Sequence, residues 1–222
     1  MKLILITDQH FGARNDSTTF HDYFENFYLN FFFPYIDENN ITTIIDLGDT
    51  FDRRKYINFY SLERCKKYWF DQILKRNMTL HCIVGNHCTY FKNTNDINSP
   101  DLLLNAYKNI IVYSKPSVES FDGLKIVMMP WICQDNYTEC YDLMQSTDSE
   151  ILFGHLELKG FEMYKGSVID HGHEQTAFER FDVVCSGHYH HKSTKGNIHY
   201  LGAPYEMTWS DFDDPKIGRA HV

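Results

Sequence analysis

The most constraining feature of this chain is a repeated ending. Five short apolar runs each stop at residues that ligate hard or borderline metal ions: Asp8-Gln9-His10, Gly48-Asp49, Gly85-Asn86-His87, Gly154-His155 and Gly187-His188-Tyr189-His190. Asp, Asn and His share these endings and no sulfur does, a donor mixture that suits two bridged cations such as manganese or iron better than a structural zinc. Singly, Asp8-x-His10 and Gly48-Asp49 are weak signals. In the last segment, alternation along an extended chain would put both imidazoles on one side. All five occur in a consistent order, each after a run that reads as a strand, and together they point to hydrolysis of a phosphate ester.

The runs also set the fold class. Residues 2–7 are apolar and β-branched with no room for a helix before the Asp8 turn, so they read as a buried strand. Over 17–39, Phe20, Phe24, Phe27, Tyr28 and Phe31 recur at helical spacing and are expected in the core, with Ser17 as cap. A second strand follows at 41–47, a second amphipathic helix at 58–75 and a third strand at 78–84. Strand and helix alternating in this way predict parallel crossovers, which place Asp8, Asp49 and Asn86 just beyond the carboxyl ends of their strands, where open α/β sheets build sites. A short helix at 99–107 precedes a change of pattern: 118–121 and 124–131 read as a hairpin about Asp122-Gly123. Buried strands at 151–154 and 182–186 deliver His155 and His188, and 199–201 closes a second sheet. The expectation is an α/β chain with two facing sheets, mixed in direction, flanked by helices.

With 222 residues, 43% hydrophobic and 16% aromatic, the chain has enough apolar surface for one packed domain, taken as residues 1–215. A net charge of −9 ordinarily argues against nucleic acid, but two divalent cations would place positive charge where a substrate phosphate must sit. Arg53-Arg54-Lys55 and Lys192 add local cations, or are solvated surface charge. The six cysteines form no CxxC pair and no secretory leader is evident, which fits reduced thiols in a cytoplasm; no stretch approaches the roughly 20 apolar residues of a membrane span. Residues 216–222, Lys-Ile-Gly-Arg-Ala-His-Val, have a back-translation that matches the start of a common sequencing adapter. They are expected to be a non-native artefact, with the native C-terminal part missing.

These motifs resemble the calcineurin-like metallophosphoesterase superfamily, whose pattern is D-x-H, G-D, G-N-H-D/E, G-H and G-H-x-H. Within it, Asp8-Gln9-His10-Phe11-Gly12, Gly48-Asp49-Thr50-Phe51-Asp52 and the stretch from His155 through Gly160-Phe161 resemble the SbcD-type DNA repair nucleases, including those of T4-like phages. The resemblance implies a four-layer α/β/β/α sandwich. It implies a first metal held by Asp8, His10, Asp49 and His190, and a second by Asp49, Asn86, His155 and His188, with Asp49 bridging. The metals would be two divalent ions, Mn2+ first, with Fe2+ or Mg2+ as alternatives. His87 would contact the phosphate and help protonate the leaving 3′ oxygen. The implied activity is exonuclease and single-strand endonuclease hydrolysis of DNA in recombination or double-strand-break processing. The implied partners are DNA, an SbcC-like ABC-type ATPase and a second copy of the chain, docked near 58–75 and 99–107; no membrane is involved.

Two other readings use the same residues. A phosphatase or small-molecule phosphodiesterase shares the scaffold, but protein phosphatases favour Gly-Asp-x-x-Asp-Arg-Gly and Gly-Asn-His-Glu, whereas here Arg54 follows Asp52-Arg53 and Cys88 follows Asn86-His87. A non-catalytic DNA-binding scaffold would rest on Cys88 alone. In the family an acidic residue at that position supports the histidine, and a thiol is a weak substitute, so a slower rather than a dead enzyme is expected. Asp52 reads either as a contact to substrate or metal ligands, or as a turn residue paired with Arg53 or Arg54. His21, His81, His171, His173 and His191 are not expected to be ligands.

Overall fold

Strand β1 (Leu3–Ile6) is followed by a long helix, α1, running through Thr18–Phe27, a π-turn at Tyr28–Phe32 and Phe33–Asn39. Strand β2 (Thr43–Asp46) leads to α2, which has the same construction: Phe59–Cys65, a π-turn at Lys66–Phe70 and Asp71–Lys75. Then come β3 (Thr79–Ile83), α3 (Ser99–Leu104) and β4 (Ile110–Tyr113). The computed structural model describes residues 2–214, so the expectation for 216–222 lies outside the described residues.

These four strands form one sheet in the order β1-β2-β3-β4, parallel throughout, with Ile4 opposite Ile44 and Ile45 opposite His81. The expectation that both sheets are mixed is therefore corrected for the first: each connection in it carries a helix, which returns the chain to the same end of the sheet. The second sheet is mixed. The hairpin of β5 (Ser117–Phe121) and β6 (Leu124–Met129) forms one edge, and α4 (Tyr137–Ser146) leads into β7 (Ile151–His155). After the small pair β8 (Glu162–Tyr164) and β9 (Ser167–Val168) come β10 (Val183–Gly187), β11 (Ser193–Lys195) and β12 (Ile198–Tyr200), giving the order β11-β12-β10-β7-β6-β5.

Period-two alternation sorts the strand residues into three cores. Ile44, Leu80 and Cys82 face α1 and α2, packing with Tyr28, Phe33 and Trp69. Their neighbours Ile45 and Ile83 face the other sheet, meeting Ile126, Met128, Phe153 and Cys185. Val127, Met129, Leu152 and Val184 face outward again, under Cys140 and Met144 of α4. Helix, sheet, sheet and helix are the four layers expected, and strands buried on both faces explain the continuous apolar runs.

The π-turns change which aromatics are buried. In α1 the core side chains are Phe24 and Tyr28, then Phe32, Phe33 and Ile36, while Phe31 is 61% exposed. A π-turn takes in one extra residue, so the helical spacing that predicted a buried Phe31 slips by one position. Ser17 precedes α1 but makes no side-chain cap, whereas the Asn58 side chain caps α2 by accepting from the Tyr60 N–H at 2.8 Å.

Candidate metal centre

The carboxyl ends of β1, β2 and β3 meet those of β7 and β10 along one rim, and each ligand segment leaves its strand there. Direct bonds join the sheets at this seam. The Asp8 carboxylate accepts from the His188 N–H at 3.0 Å, and His155 Nδ1–H donates to the Leu47 carbonyl at 2.8 Å. The Asp49 carboxylate accepts from the His87 N–H at 2.8 Å. Asp8, His10, Asp49 and His188 hold left-handed backbone, with φ of 52°, 47°, 56° and 90°. A non-glycine residue held there costs about 1–3 kcal/mol, and such residues cluster where side chains must be aimed.

The residues gather into groups whose ligand atoms lie within 4.8 Å of one another: Asp8, His10 and His190; Asp49, His155 and His188; and His10, Asp49 and His87. His10 Nε2 is 3.0 Å from His190 Nε2 and 3.8 Å from both an Asp8 and an Asp49 oxygen. His155 Nε2 lies 3.3 Å from Asp49 Oδ2 and 3.0 Å from Asn86 Oδ1, and His188 Nδ1 lies 3.0 Å from the same Asn86 oxygen. With Nδ1–H committed to Leu47, His155 presents Nε2 to Asp49 and Asn86. Once deprotonated, these imidazole nitrogens and the carboxylate and amide oxygens would all offer lone pairs to a common cation. The donor set, oxygen and imidazole without sulfur, fits two divalent ions. His188 and His190 do not share a side as an extended chain would have it: the backbone turns at His188, one imidazole joins each group, and Tyr189 between them is buried in the core beneath.

The electrostatics suit cations. Burial alone would push the Asp8 and Asp49 carboxyls up, but the surrounding imidazoles reverse this and hold both below the usual carboxylate range. Against burial, Asp52, Asp8 and Asp49 raise His10 to about 10, and Asp49 and Asp8 raise His155 to about 9. His190 is pushed down, by burial and by His10 beside it.

Two glycines explain why the segments carry them. A Cβ on Gly85 would overlap the Asp49 carboxylate and amide, and one on Gly187 would overlap the Thr7 hydroxyl and press on Asp8 and His155. Gly85→Ala is expected to displace Asp49, lowering stability by about 2 kcal/mol and abolishing metal binding. Denaturant unfolding and calorimetric manganese titration check it, and wild-type manganese affinity would contradict it.

Surrounding groups aim the ligands. Asp52 has its carboxylate 3.4 Å from His10 Nδ1, and its backbone carbonyl accepts from His87 Nδ1–H at 2.7 Å. Asp52 thus serves the site, while Arg53 pairs with Asp16 at 2.8 Å. The His87 ring is oriented by that carbonyl, and Cys88 is fully buried with its thiol pushed up to about 12 by burial and by Asp49. Glu157 lies 3.5 Å from His188 Nε2 and also 3.5 Å from His171 Nε2, and Trp131 lies against the His188 ring at 5.1 Å between centroids. No local sequence pattern marks Glu157, Trp131 or the buried Asp46; the one available signal for Glu157 is its position two residues after His155. Of the other histidines, His21 bridges to Ser61 and Tyr68, His81 to Tyr113, His173 to Tyr141, and His191 to Asp214.

The sequence profile of the calcineurin-like phosphoesterases matches residues 1–192. Exonuclease subunit 1 of Enterobacteria phage T4 is 34% identical over 219 residues, which are 97% of this chain and 63% of that protein, so the chain spans less than two thirds of that relative's length. Among solved structures, an archaeal phosphodiesterase shares 15% identity at a TM-score of 0.41, covering 92% of this chain and 85% of its own. A protein of unknown function from Aquifex aeolicus shares 15% identity at 0.41, covering 88% and 82%. With the ligand segments meeting on one rim and the profile spanning most of the sequence, the chain belongs to the calcineurin-like phosphoesterase family.

Proposed function

We propose that this phosphoesterase is a DNA nuclease, with exonuclease and single-strand endonuclease activity and residues 1–215 as its catalytic domain, working beside an SbcC-like ABC-type ATPase in recombination or break processing. The observation that carries the reading is the pair of ligand groups around Asp49 in a chain 34% identical to a phage exonuclease subunit. Asp8, His10, Asp49 and His190 would hold one divalent ion and Asp49, Asn86, His155 and His188 the other, Mn2+ before Fe2+ or Mg2+. Bound there, the ions neutralise charge growing on the phosphate oxygens and make water a usable nucleophile at neutral pH. His87, with Nδ1–H given to the Asp52 carbonyl, keeps Nε2 for the phosphate and for a proton passed to the leaving 3′ oxygen. Glu157 and Asp52 steady His188 and His10.

A homodimer fits the apolar side chains left open at the start of α2 and on α3, where Phe59 is 86% and Leu102 64% exposed. All six cysteines are free thiols, which suits a reducing cytoplasm, that of a bacterial host if the gene is a phage's. No helix among the described residues is long and apolar enough to cross a membrane.

The test is incubation of the purified protein with manganese, end-labelled DNA and, separately, a generic phosphomonoester. DNA products that vanish in His188→Ala support the nuclease. Monoester turnover without DNA cleavage indicates a phosphatase, and metal binding with neither activity a scaffold.

Metal uptake should be coupled to protons. With His10 raised to about 10 and His155 to about 9 in the cation-free site, both carry protons at pH 7.5 that an incoming cation must displace. Manganese affinity is therefore expected to rise with pH up to about 10, with more than one proton released per pair of ions, read by calorimetry in buffers of different ionisation enthalpy. Affinity independent of pH would contradict this. The same shifts fix the sign for the cation-free fold: these folded-state values lie above the ordinary 6.5, so their stabilisation is full below 6.5 and is lost as pH rises through 9 to 10. Cys88→Asp is expected to raise turnover at saturating manganese, because a carboxylate supports a neighbouring imidazole better than a thiol. Unchanged turnover would show that the Asp52 carbonyl suffices.

A further inference from the structure

A buried carboxylate outside the three ligand groups ties together the two ligand loops of the first sheet. Asp46, the last residue of β2, is fully buried. Its Oδ1 accepts from the Gly48 N–H at 3.0 Å, and its Oδ2 accepts from the Thr50 hydroxyl at 2.7 Å and from Gln9 Nε2 at 2.8 Å. Gly48 and Thr50 flank Asp49, and Gln9 stands between Asp8 and His10. Gln9 has no freedom to turn away, since its Oε1 accepts from the Tyr28 hydroxyl at 2.7 Å and its carbonyl from the Tyr205 hydroxyl at 2.7 Å. Burial raises the Asp46 carboxyl to about 7, against the pull of the Thr50 and Gly48 hydrogen bonds, and three donors meeting one group are matched by its ionised form, which only accepts, and not by an amide. Between the same loops run Asp8 N–H to the Gly48 carbonyl and His10 N–H to the Asp49 carbonyl, both 2.9 Å. Side chains thus reinforce the backbone at the place where the shared ligand Asp49 faces Asp8 and His10.

We propose that Asp46 and Gln9 are positioning residues of the metal centre: their hydrogen bond fixes the Asp8–His10 loop against the Asp49 loop and so sets the spacing of the two cations. The inference rests on the two-cation reading above. Such supporting bonds typically govern metal affinity by 10- to 100-fold.

The test is manganese titration followed by electron paramagnetic resonance, in which an exchange-coupled pair differs from isolated Mn2+, with calorimetry and thermal unfolding in parallel. Asp46→Asn turns an amide NH2 toward two donors, and Gln9→Glu sets a second carboxylate against the first. Each is expected to lose the coupled signal and to weaken uptake of the second ion by about 10- to 100-fold. The double variant Asp46→Asn with Gln9→Glu reverses the direction of the bond, the new amide donating to the new carboxylate, which still accepts from Tyr28. It is expected to regain the coupled signal and most of the affinity. A single variant with the wild-type signal and affinity overturns the inference, as does a double variant that folds without the coupled pair or is no more stable than the singles. A wild type that takes up no coupled pair overturns the two-cation reading and the inference with it.

Discussion

Asp49→Asn is expected to lower turnover on DNA by about 10³-fold or more and to reduce manganese uptake to one ion or none. Asp49 belongs to two of the ligand groups, and both of its oxygens are in use: Oδ2 lies 3.3 Å from His155 Nε2, and Oδ1 accepts from the His87 N–H. An amide has one acceptor atom where the carboxylate has two, and it carries no charge to offset two cations. It also removes the group that does most to hold His155 charged in the cation-free protein. Steady-state turnover, with metal content measured on the same preparation, checks the prediction. A variant that still binds two ions and cleaves at a tenth of the wild-type rate would show that another residue bridges.

His87→Gln should separate chemistry from metal binding. His87 belongs to one of the ligand groups, yet its Nδ1 is spent on the Asp52 carbonyl, and the groups on either side, Asp8–His10–His190 and Asp49–His155–His188, close without it. The variant is expected to bind manganese with wild-type stoichiometry while kcat on DNA falls by about 10²- to 10⁴-fold, the range for a lost general acid. The loss should shrink on a phosphodiester whose leaving group needs no proton, such as a nitrophenolate. An equal loss on both substrates would mean that His87 binds the phosphate and donates nothing, and a loss of metal would make it a ligand.

Much of this site is legible in the sequence because strands buried on both faces have a simple signature. Continuous runs such as residues 43–46 and 79–83 cannot be amphipathic helices, and the residue after each one falls on the sheet's carboxyl rim. What escaped depends on distances the sequence does not carry. Ile110–Tyr113 is a half-exposed edge strand with a short run, and was not expected. The spacing of Tyr137, Cys140, Tyr141 and Met144 is that of α4 and could have been seen. Phe31 leaves the expected core because a π-turn breaks the 3.6-residue period, and Ser17 precedes the helix without capping it. An extended chain would set His188 and His190 on one side, and the positive φ of His188 replaces it with a turn. Asp46, Glu157 and Trp131 serve the site only through contacts across the fold, and no local pattern marks them.

Asp49 is proposed to join two cations on the rim where the sheets meet. Anomalous diffraction from manganese-soaked crystals tests this most directly. Two peaks are expected about 3.5–4 Å apart on either side of the Asp49 carboxylate, one against Asp8, His10 and His190 and the other against Asn86, His155 and His188. A single peak, or two peaks that do not share Asp49, would contradict it.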